Sequence, residues 1–74
     1  MKHNDIIQYL GKYGLLTWST LKKNRSAERK AYHGVIRHIE DDVILFRITG
    51  MAMKTIKLED IMSFEPMEMG NLNK

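Results

Sequence analysis

A basic segment in the first half of the chain is the clearest candidate for binding chemistry. Residues 22–30 read K-K-N-R-S-A-E-R-K and show no regular spacing of apolar residues. Lysine and arginine side chains neutralise phosphate groups and make binding sensitive to salt. The positive charges in this segment are Lys22, Lys23, Arg25, Arg29 and Lys30, and Glu28 opposes one of them. The same composition is typical of a solvated loop between two strands, so a phosphate-binding loop and an ordinary exposed loop are both open.

Aromatic residues lie on both sides of the basic segment, with Tyr9, Tyr13 and Trp18 before it and Tyr32 after it. Aromatic side chains beside basic ones can stack with nucleic-acid bases. A short chain needs its largest side chains for the core, so we expect Trp18 inside and Tyr13 and Tyr32 at the surface. Tyr32 and Arg37 complete the predicted set of residues that contact RNA or single-stranded DNA.

Neither a catalytic set nor a metal site is predicted. There is no cysteine, and His33 and His38 are five residues apart, which on one regular strand would point them to opposite faces. The carboxylates cluster at predicted turns, where a solvated group is a poor general acid. These residues are Asp41, Asp42, Glu59 and Asp60. We therefore expect a non-enzymatic protein without a cofactor or a metal ion.

Length and charge narrow the class of protein further. The chain has 74 residues and a formal charge of +3, and this charge is unevenly distributed, with +6 over residues 1–37 and −3 over residues 38–74. Such asymmetry indicates a polyanion-binding face, unless the basic half packs beside the acidic half. No apolar run approaches the ~20 residues that span a bilayer. The expectation is one cytoplasmic domain with a thin core and no membrane contact.

The elements that must position these residues begin with a short helix, predicted over residues 5–12. Asn4 or Asp5 can cap it, and Ile6, Ile7 and Leu10 share one side. Glycines at positions 11 and 14 would end it. A helix of this length is unstable alone, so it must pack its apolar side against the rest of the chain.

Five short strands are predicted for the remainder, over residues 15–21, 31–40, 43–49, 53–58 and 61–64. In the third strand Ile44, Phe46 and Ile48 alternate onto one face. Gly34 within the second strand predicts a bend, a bulge or a close approach of another backbone. Short bent strands favour a small barrel, since closure removes exposed edges. Residues 1–66 would form this mainly β domain, and 67–74 a flexible tail.

This layout resembles the Sm-like (Hfq-like) family of small SH3-like β-barrels. Residues 33–47, H-G-V-I-R-H-I-E-D-D-V-I-L-F-R, are similar to the glycine-bearing second strand and the third strand of that family. Residues 56–66, I-K-L-E-D-I-M-S-F-E-P, are similar to its closing strand pair. The resemblance implies a bacterial RNA-binding protein whose copies form a ring by pairing their fourth and fifth strands.

The chain departs from the family at the uridine-binding motif, a Tyr-Lys-His run before the closing strand. Lys57 matches the lysine of that motif, but Ile56 and Leu58 stand in place of the tyrosine and the histidine. The resemblance therefore implies the fold without this RNA site. The closing part of the chain also resembles, more weakly, the YolD-like family of bacilli and their phages.

The last third of the chain is rich in methionine, and Met51 and Met53 flank the turn after Gly50. Methionine makes adaptable contact surfaces, so these two residues predict an exposed barrel edge that pairs with another copy. Two functions remain open. One is a small module that binds RNA or single-stranded nucleic acid through the basic loop. The alternative is a phage- or plasmid-type accessory that binds another protein through a barrel edge.

Overall fold

The computed structural model describes residues 1–20 and 28–67, which form one antiparallel sheet with a short helix at its N-terminal end. The strand order is β4-β3-β2-β1-β5. The elements in chain order are helix α1 (His3–Ile6), a 3₁₀ turn (Ile7–Tyr9), β1 (Tyr13–Thr20), β2 (Glu28–Glu40), β3 (Val43–Ile48), β4 (Met53–Lys57), a second 3₁₀ turn (Leu58–Asp60) and β5 (Ile61–Pro66). The prediction of a mainly β domain with a short leading helix is confirmed. None of the described helices has the length and apolar character needed to cross a bilayer.

The helix is shorter than predicted, because α1 ends at Ile6 and the next three residues form a 3₁₀ turn instead of continuing to residue 12. Gly11 then adopts a φ of +82°, and its N–H donates to the carbonyl of Ile36 on β2 at 2.7 Å. The chain is thus drawn away from the helix axis by a bond to the sheet. Ile6 is fully buried on the core, whereas Ile7 and Leu10, which were predicted to share its apolar side, are 48% and 47% exposed. The expectation that all three pack together is wrong, because the α-helix ends at Ile6. The Met1 ammonium also donates to the Leu58 carbonyl at 2.8 Å.

The core lies on one face of the curved sheet, here called the inner face, and the opposite side is the outer face. Alternation along β3 places Ile44, Phe46 and Ile48 inward, as predicted. Every buried side chain among the described residues is apolar. The buried set comprises Ile6, Leu16, Trp18, Ile36, Ile44, Phe46, Ile48, Ile56, Leu58, Ile61 and Phe64.

Two glycines face each other at the centre of the sheet and allow phenylalanine rings to pack directly on the backbone. Gly14 on β1 pairs with Gly34 on β2. A Cβ atom added at Gly14 would lie 2.6 Å from the Phe64 ring, and one at Gly34 would lie 2.9 Å from the Phe46 ring. Both distances are shorter than any ordinary carbon–carbon contact. Gly34 was predicted to mark a bend, a bulge or a close approach of another backbone, and the third alternative is the one found, since the Arg47 carbonyl is also within contact of that position.

A β-bulge in β2 explains why its sequence pattern reads as mixed. The register to β3 shifts between Ile36, which pairs with Phe46, and His38, which pairs with Leu45. The extra residue, Arg37, changes which side chains point inward, because a bulge inserts one residue into one strand only. His33 and His38 therefore share the outer face. The expectation that they point to opposite faces is wrong, since it assumed an unbroken alternation.

Strand ends also differ from the prediction. The first strand begins two residues earlier than predicted, β2 three residues earlier, and β5 extends two residues further. The pairing with β1 reaches past β5, because the Met67 N–H donates to the Tyr13 carbonyl at 2.8 Å. Residue 21 of the predicted first strand and residues 68–74 of the predicted tail lie outside the described residues. Strands β4 and β5 are the two edges of the sheet, so the described chain forms an open sheet and not a closed barrel.

Candidate nucleic-acid interface

The β1–β2 ladder holds the C-terminal end of the basic segment, residues 28–30. The last strand pairs before the connection are Trp18 with Lys30, Ser19 with Arg29, and Thr20 with Glu28. Arg29 and Lys30 therefore lie at the end of a regular ladder and are brought together there. Three further predicted site residues lie in the connection itself, outside the described residues. These are Lys22, Lys23 and Arg25.

The charges of the described residues balance, with eight lysines and arginines against eight aspartates and glutamates. The net charge of +3 thus resides in the remainder of the chain. Residues 21–27 contribute three positive charges and no acid, while Lys74 and Glu68 cancel each other. The excess positive charge of the protein therefore belongs to the connection between β1 and β2.

Arg29 and Lys30 project to opposite sides of the hairpin, because neighbouring residues of a strand alternate. Arg29 is exposed on the outer face, whereas Lys30 lies on the inner face opposite Trp18 and is half-buried. Tyr32 is also on the inner face, and its ring centroid lies 5.8 Å from that of Trp18. Trp18 is buried, as expected, while Tyr32 keeps 38% of its surface exposed. Tyr32 is thus an exposed aromatic ring supported by a buried one.

Arg37 is not brought together with the hairpin. It follows Lys30 by seven residues along β2, a separation of about 23 Å at the rise of an extended strand. It sits at the bulge, beyond the paired glycines. Among the described members of the predicted site, Arg29, Lys30 and Tyr32 therefore lie on the hairpin and Arg37 lies apart from them.

A groove with a volume of about 590 Å³ lies on the inner face beside Trp18 and β4. Sequence reasoning did not single out Lys54, which lines this groove and lies opposite Phe46 in the ladder. The inward position of Lys54 could have been predicted from the alternation of β4, because Lys54 and the buried Ile56 share a face. The groove is also lined by Lys57, Glu59 and Asp60, so its two positive charges meet two negative ones.

A second aromatic pair lies on the outer face. The rings of Tyr13 on β1 and His33 on β2 stack with centroids 6.1 Å apart and an interplanar angle of 18°. His33 is exposed and Tyr13 is half-buried. Tyr13 also lines a cavity of about 380 Å³ together with Lys12, Pro66 and Met67. Tyr13 was expected at the surface. Its contact with His33 could not be predicted from the sequence, because it depends on the register between β1 and β2.

The sheet order shows where the two methionines of the predicted oligomer edge lie. Met53 lies on edge strand β4 and is 47% exposed, and Met51 lies in the exposed turn between β3 and β4. The opposite edge carries another exposed methionine, Met62 on β5 at 48%. The bulge in the β1–β5 register, where Trp18 pairs with Ile61, leaves Met62 without a partner position on β1.

Backbone groups point out of both edges. The Leu58 N–H donates to the Asp42 carbonyl, so alternation along β4 turns the N–H groups of Met53, Thr55 and Lys57 away from β3. On β5, the Met67 bond to β1 implies that the N–H of Phe64 points outward. Pro66 occupies the next outward position and has no N–H. Edge β4 therefore offers a longer row of donors than edge β5.

The described part of the chain, residues 1–20 and 28–67, contains no group of three or more metal-ligating side chains. His38 Nε2 lies 3.7 Å from Glu40 Oε1 on the outer face, and both side chains are mostly exposed to solvent. Comparisons with protein-family models, with curated proteins and with solved structures gave no match to this chain.

Proposed function

We propose that this protein is a non-enzymatic binding module that takes RNA or single-stranded DNA at the β1–β2 hairpin. The observation that supports this function most directly is the distribution of charge. The described residues are neutral as a set, and the positive excess comes from the connection held between Thr20 and Glu28. A basic connection at the end of a rigid two-stranded ladder can follow a phosphate backbone without sequence preference.

The aromatic residues beside the basic group favour a single strand over a duplex. Tyr32 is exposed, rests on Trp18 and lies two residues from Lys30. A ring that is held in place by a buried neighbour can stack with an unpaired base, whereas the bases of a duplex are already stacked on each other. The same cations would contact the phosphates of either form, so affinity for duplex should be lower but present.

The direct test is fluorescence anisotropy with labelled single-stranded RNA, single-stranded DNA and duplex at several salt concentrations. If all five cations of the segment contact phosphate, the slope of log K against log salt is about −3.5 for single strands. This slope corresponds to a loss of affinity of roughly 100-fold between 50 and 200 mM salt. Absence of binding at low salt, or binding without a salt slope, contradicts the proposal.

Substitutions separate the hairpin from general charge effects. Replacing Lys22, Lys23 and Arg25 together by glutamine should make the slope about two units shallower. Arg29→Gln should reduce it by less than one unit. The matched control is Lys2→Gln, which removes one exposed positive charge at the N-terminal end of α1. Equal effects of Arg29→Gln and Lys2→Gln would show that net charge, and not the hairpin, determines binding.

A second proposed role concerns the open edges of the sheet. We propose that β4 of one copy pairs with β5 of the next copy. Successive sheets would then join edge to edge, and the copies would form a closed ring. Outward N–H groups on β4 and an exposed methionine on each edge support this pairing. Unpaired edges attract other strands. The Sm-like resemblance implies the same arrangement. Pro66 would restrict the paired part of β5 to the residues before it.

Light scattering of the wild-type protein and of two variants of Thr55 tests the edge. Thr55→Pro removes one outward N–H without removing a bond to β3, and Thr55→Val keeps that N–H with a side chain of similar shape. The wild type and Thr55→Val should be oligomers, and Thr55→Pro should be a monomer or a much weaker oligomer. A monomeric wild type contradicts self-pairing.

The same edge also suits the alternative function, a protein-interaction accessory that binds a strand of a different protein. Affinity capture from a host lysate with wild type, Thr55→Val and Thr55→Pro as baits discriminates this role. A partner retained by the first two baits and lost with the third supports strand addition at β4. A wild-type bait that captures no protein reproducibly counts against it.

A further inference from the structure

The outer face of the β1–β2 hairpin forms a continuous surface from the basic connection to the first residues of β1. Opposed residues along it are Ser19 with Arg29, Thr17 with Ala31, Leu15 with His33 and Tyr13 with Val35. The hydroxyl and alanine side chains next to Arg29 are small, and the half-buried Leu15 is the one large side chain of β1 between them and Tyr13. From Ser19 to Tyr13 the strand extends about 20 Å.

The aromatic pair at the far end of this surface is held in a fixed geometry. Tyr13 and His33 lie on adjacent paired strands, and their rings are nearly parallel at an interplanar angle of 18°. Tyr13 also borders the 380 Å³ cavity with Lys12, Pro66 and Met67. This volume falls within the range of small-molecule sites, and its lining offers a proline ring and a methionine beside one cation. The cavity thus offers room for a planar base beside the Tyr13 ring.

The outer surface carries more cations than acids between Arg29 and the cavity. Arg29 lies at one end and Lys12 at the other, with Glu65 as the acid opposite Leu15. The groove beside Trp18 on the inner face is lined by Glu59 and Asp60 as well as by Lys54 and Lys57, and Lys30 lies opposite Trp18 on the same face. The phosphates of a nucleic acid on the outer surface would meet two cations and one acid.

We infer that a single strand of nucleic acid runs along the outer face of the β1–β2 hairpin and stacks one base on Tyr13 beside His33. This inference rests on the proposed function, because the hairpin supplies the phosphate contacts. It adds a base-binding subsite that is separate from the basic connection and from Tyr32. The subsite recognises the flat surface of a base through the Tyr13 ring, with Lys12 as the one cation in the lining of the cavity.

Tyr13→Leu tests the subsite and Tyr13→Phe is its matched control. Binding of fluorescent single-stranded RNA and DNA of about 10 nucleotides is measured by anisotropy over the same salt series. Loss of one stacked base weakens binding roughly 5- to 150-fold. Tyr13→Leu should show a loss in this range with an unchanged salt slope, since no cation is removed. Tyr13→Phe should stay within about twofold of the wild type, because the ring is kept.

A second measurement uses the wild-type protein alone and does not depend on the folding of a variant. An abasic oligonucleotide of equal length presents the phosphates without bases and should bind more weakly with the same salt slope. Nuclear magnetic resonance of the His33 ring should show a shift on adding the normal oligonucleotide and none on adding the abasic one.

The outcomes separate the inference from the proposed function. The base subsite is overturned if Tyr13→Leu keeps full affinity, or if the wild type binds normal and abasic strands equally. A steep salt slope in the same experiment would still support the hairpin proposal. Absence of any binding by the wild type overturns the hairpin proposal and the subsite together.

Discussion

Substitution of Gly34 by alanine tests whether the paired glycines are needed for the phenylalanine rings to pack directly on the sheet backbone. The added Cβ would lie 2.9 Å from Cζ of Phe46, whereas carbon atoms in contact prefer about 3.5–4.0 Å. The Phe46 ring is fully buried and packs edge-on against Trp18, so it has little room to move. The Arg47 carbonyl is closer still, and as backbone it can retreat only if β2 and β3 separate.

The expected cost follows from these contacts. Overpacking of a core costs about 1–3 kcal/mol, and a clash with backbone belongs at the upper end of this range. A domain of this size has a total stability of about 4–11 kcal/mol. Because 1 kcal/mol shifts the melting temperature of a small domain by about 4–8 °C, Gly34→Ala should lower it by about 12–24 °C. Thermal and urea unfolding followed by circular dichroism would measure this change.

Two further variants make the test specific. Gly50→Ala adds a Cβ where no atom lies within 4 Å, so its cost is limited to the positive φ of +77°, about 1–2 kcal/mol. Adding Phe46→Leu to Gly34→Ala should not restore stability, because the backbone contact remains. A melting temperature for Gly34→Ala within a few degrees of the wild type would refute the close packing inferred at Gly34.

Three smaller changes probe other parts of the fold. Asp41 has a φ of +50° at the β2–β3 turn, so Asp41→Gly should raise stability by up to about 1 kcal/mol in a urea titration, while Asp42→Gly should give no gain; equal effects would contradict the role of the positive φ. Ile6→Ala should cost about 2–5 kcal/mol by the same titration, because Ile6 is fully buried; a cost below about 1 kcal/mol would show that α1 is not part of the core. His38→Gln should change stability by less than about 0.5 kcal/mol, since the His38–Glu40 pair is mostly exposed; a larger loss at pH 6 would contradict this.

Much of the core was predictable because alternation is a local property of an extended chain. Ile44, Phe46 and Ile48 read as one face from the sequence, and all three are buried on the inner face. Trp18 was expected inside on size alone, and it is buried. A close approach was one of the alternatives predicted for Gly34, because glycine has no side chain. In the structure, the Phe46 ring and the Arg47 carbonyl are the groups that approach it.

The candidate site was predictable only in part. The basic residues and Tyr32 were visible from composition, and Arg29 and Lys30 do lie together at the hairpin end. The separation of Arg37 from the hairpin end could not be predicted, because closeness in sequence does not reveal where a ladder ends and a bulge begins. Lys54 reaches the inner groove only because β4 pairs with β3 in one particular register.

The amino-acid sequence by itself determined the mainly β character of this protein, the inward residues of its regular strands and the concentration of positive charge in residues 22–30. These features depend on residue type and on a spacing of two, which act within a few positions of the chain. Tertiary structure alone decided the bulge at Arg37, the stacking of Tyr13 on His33 and the identity of the open edges. Each of these depends on how distant strands align, and a shift of one residue between strands would exchange the inner and outer faces without changing the sequence pattern.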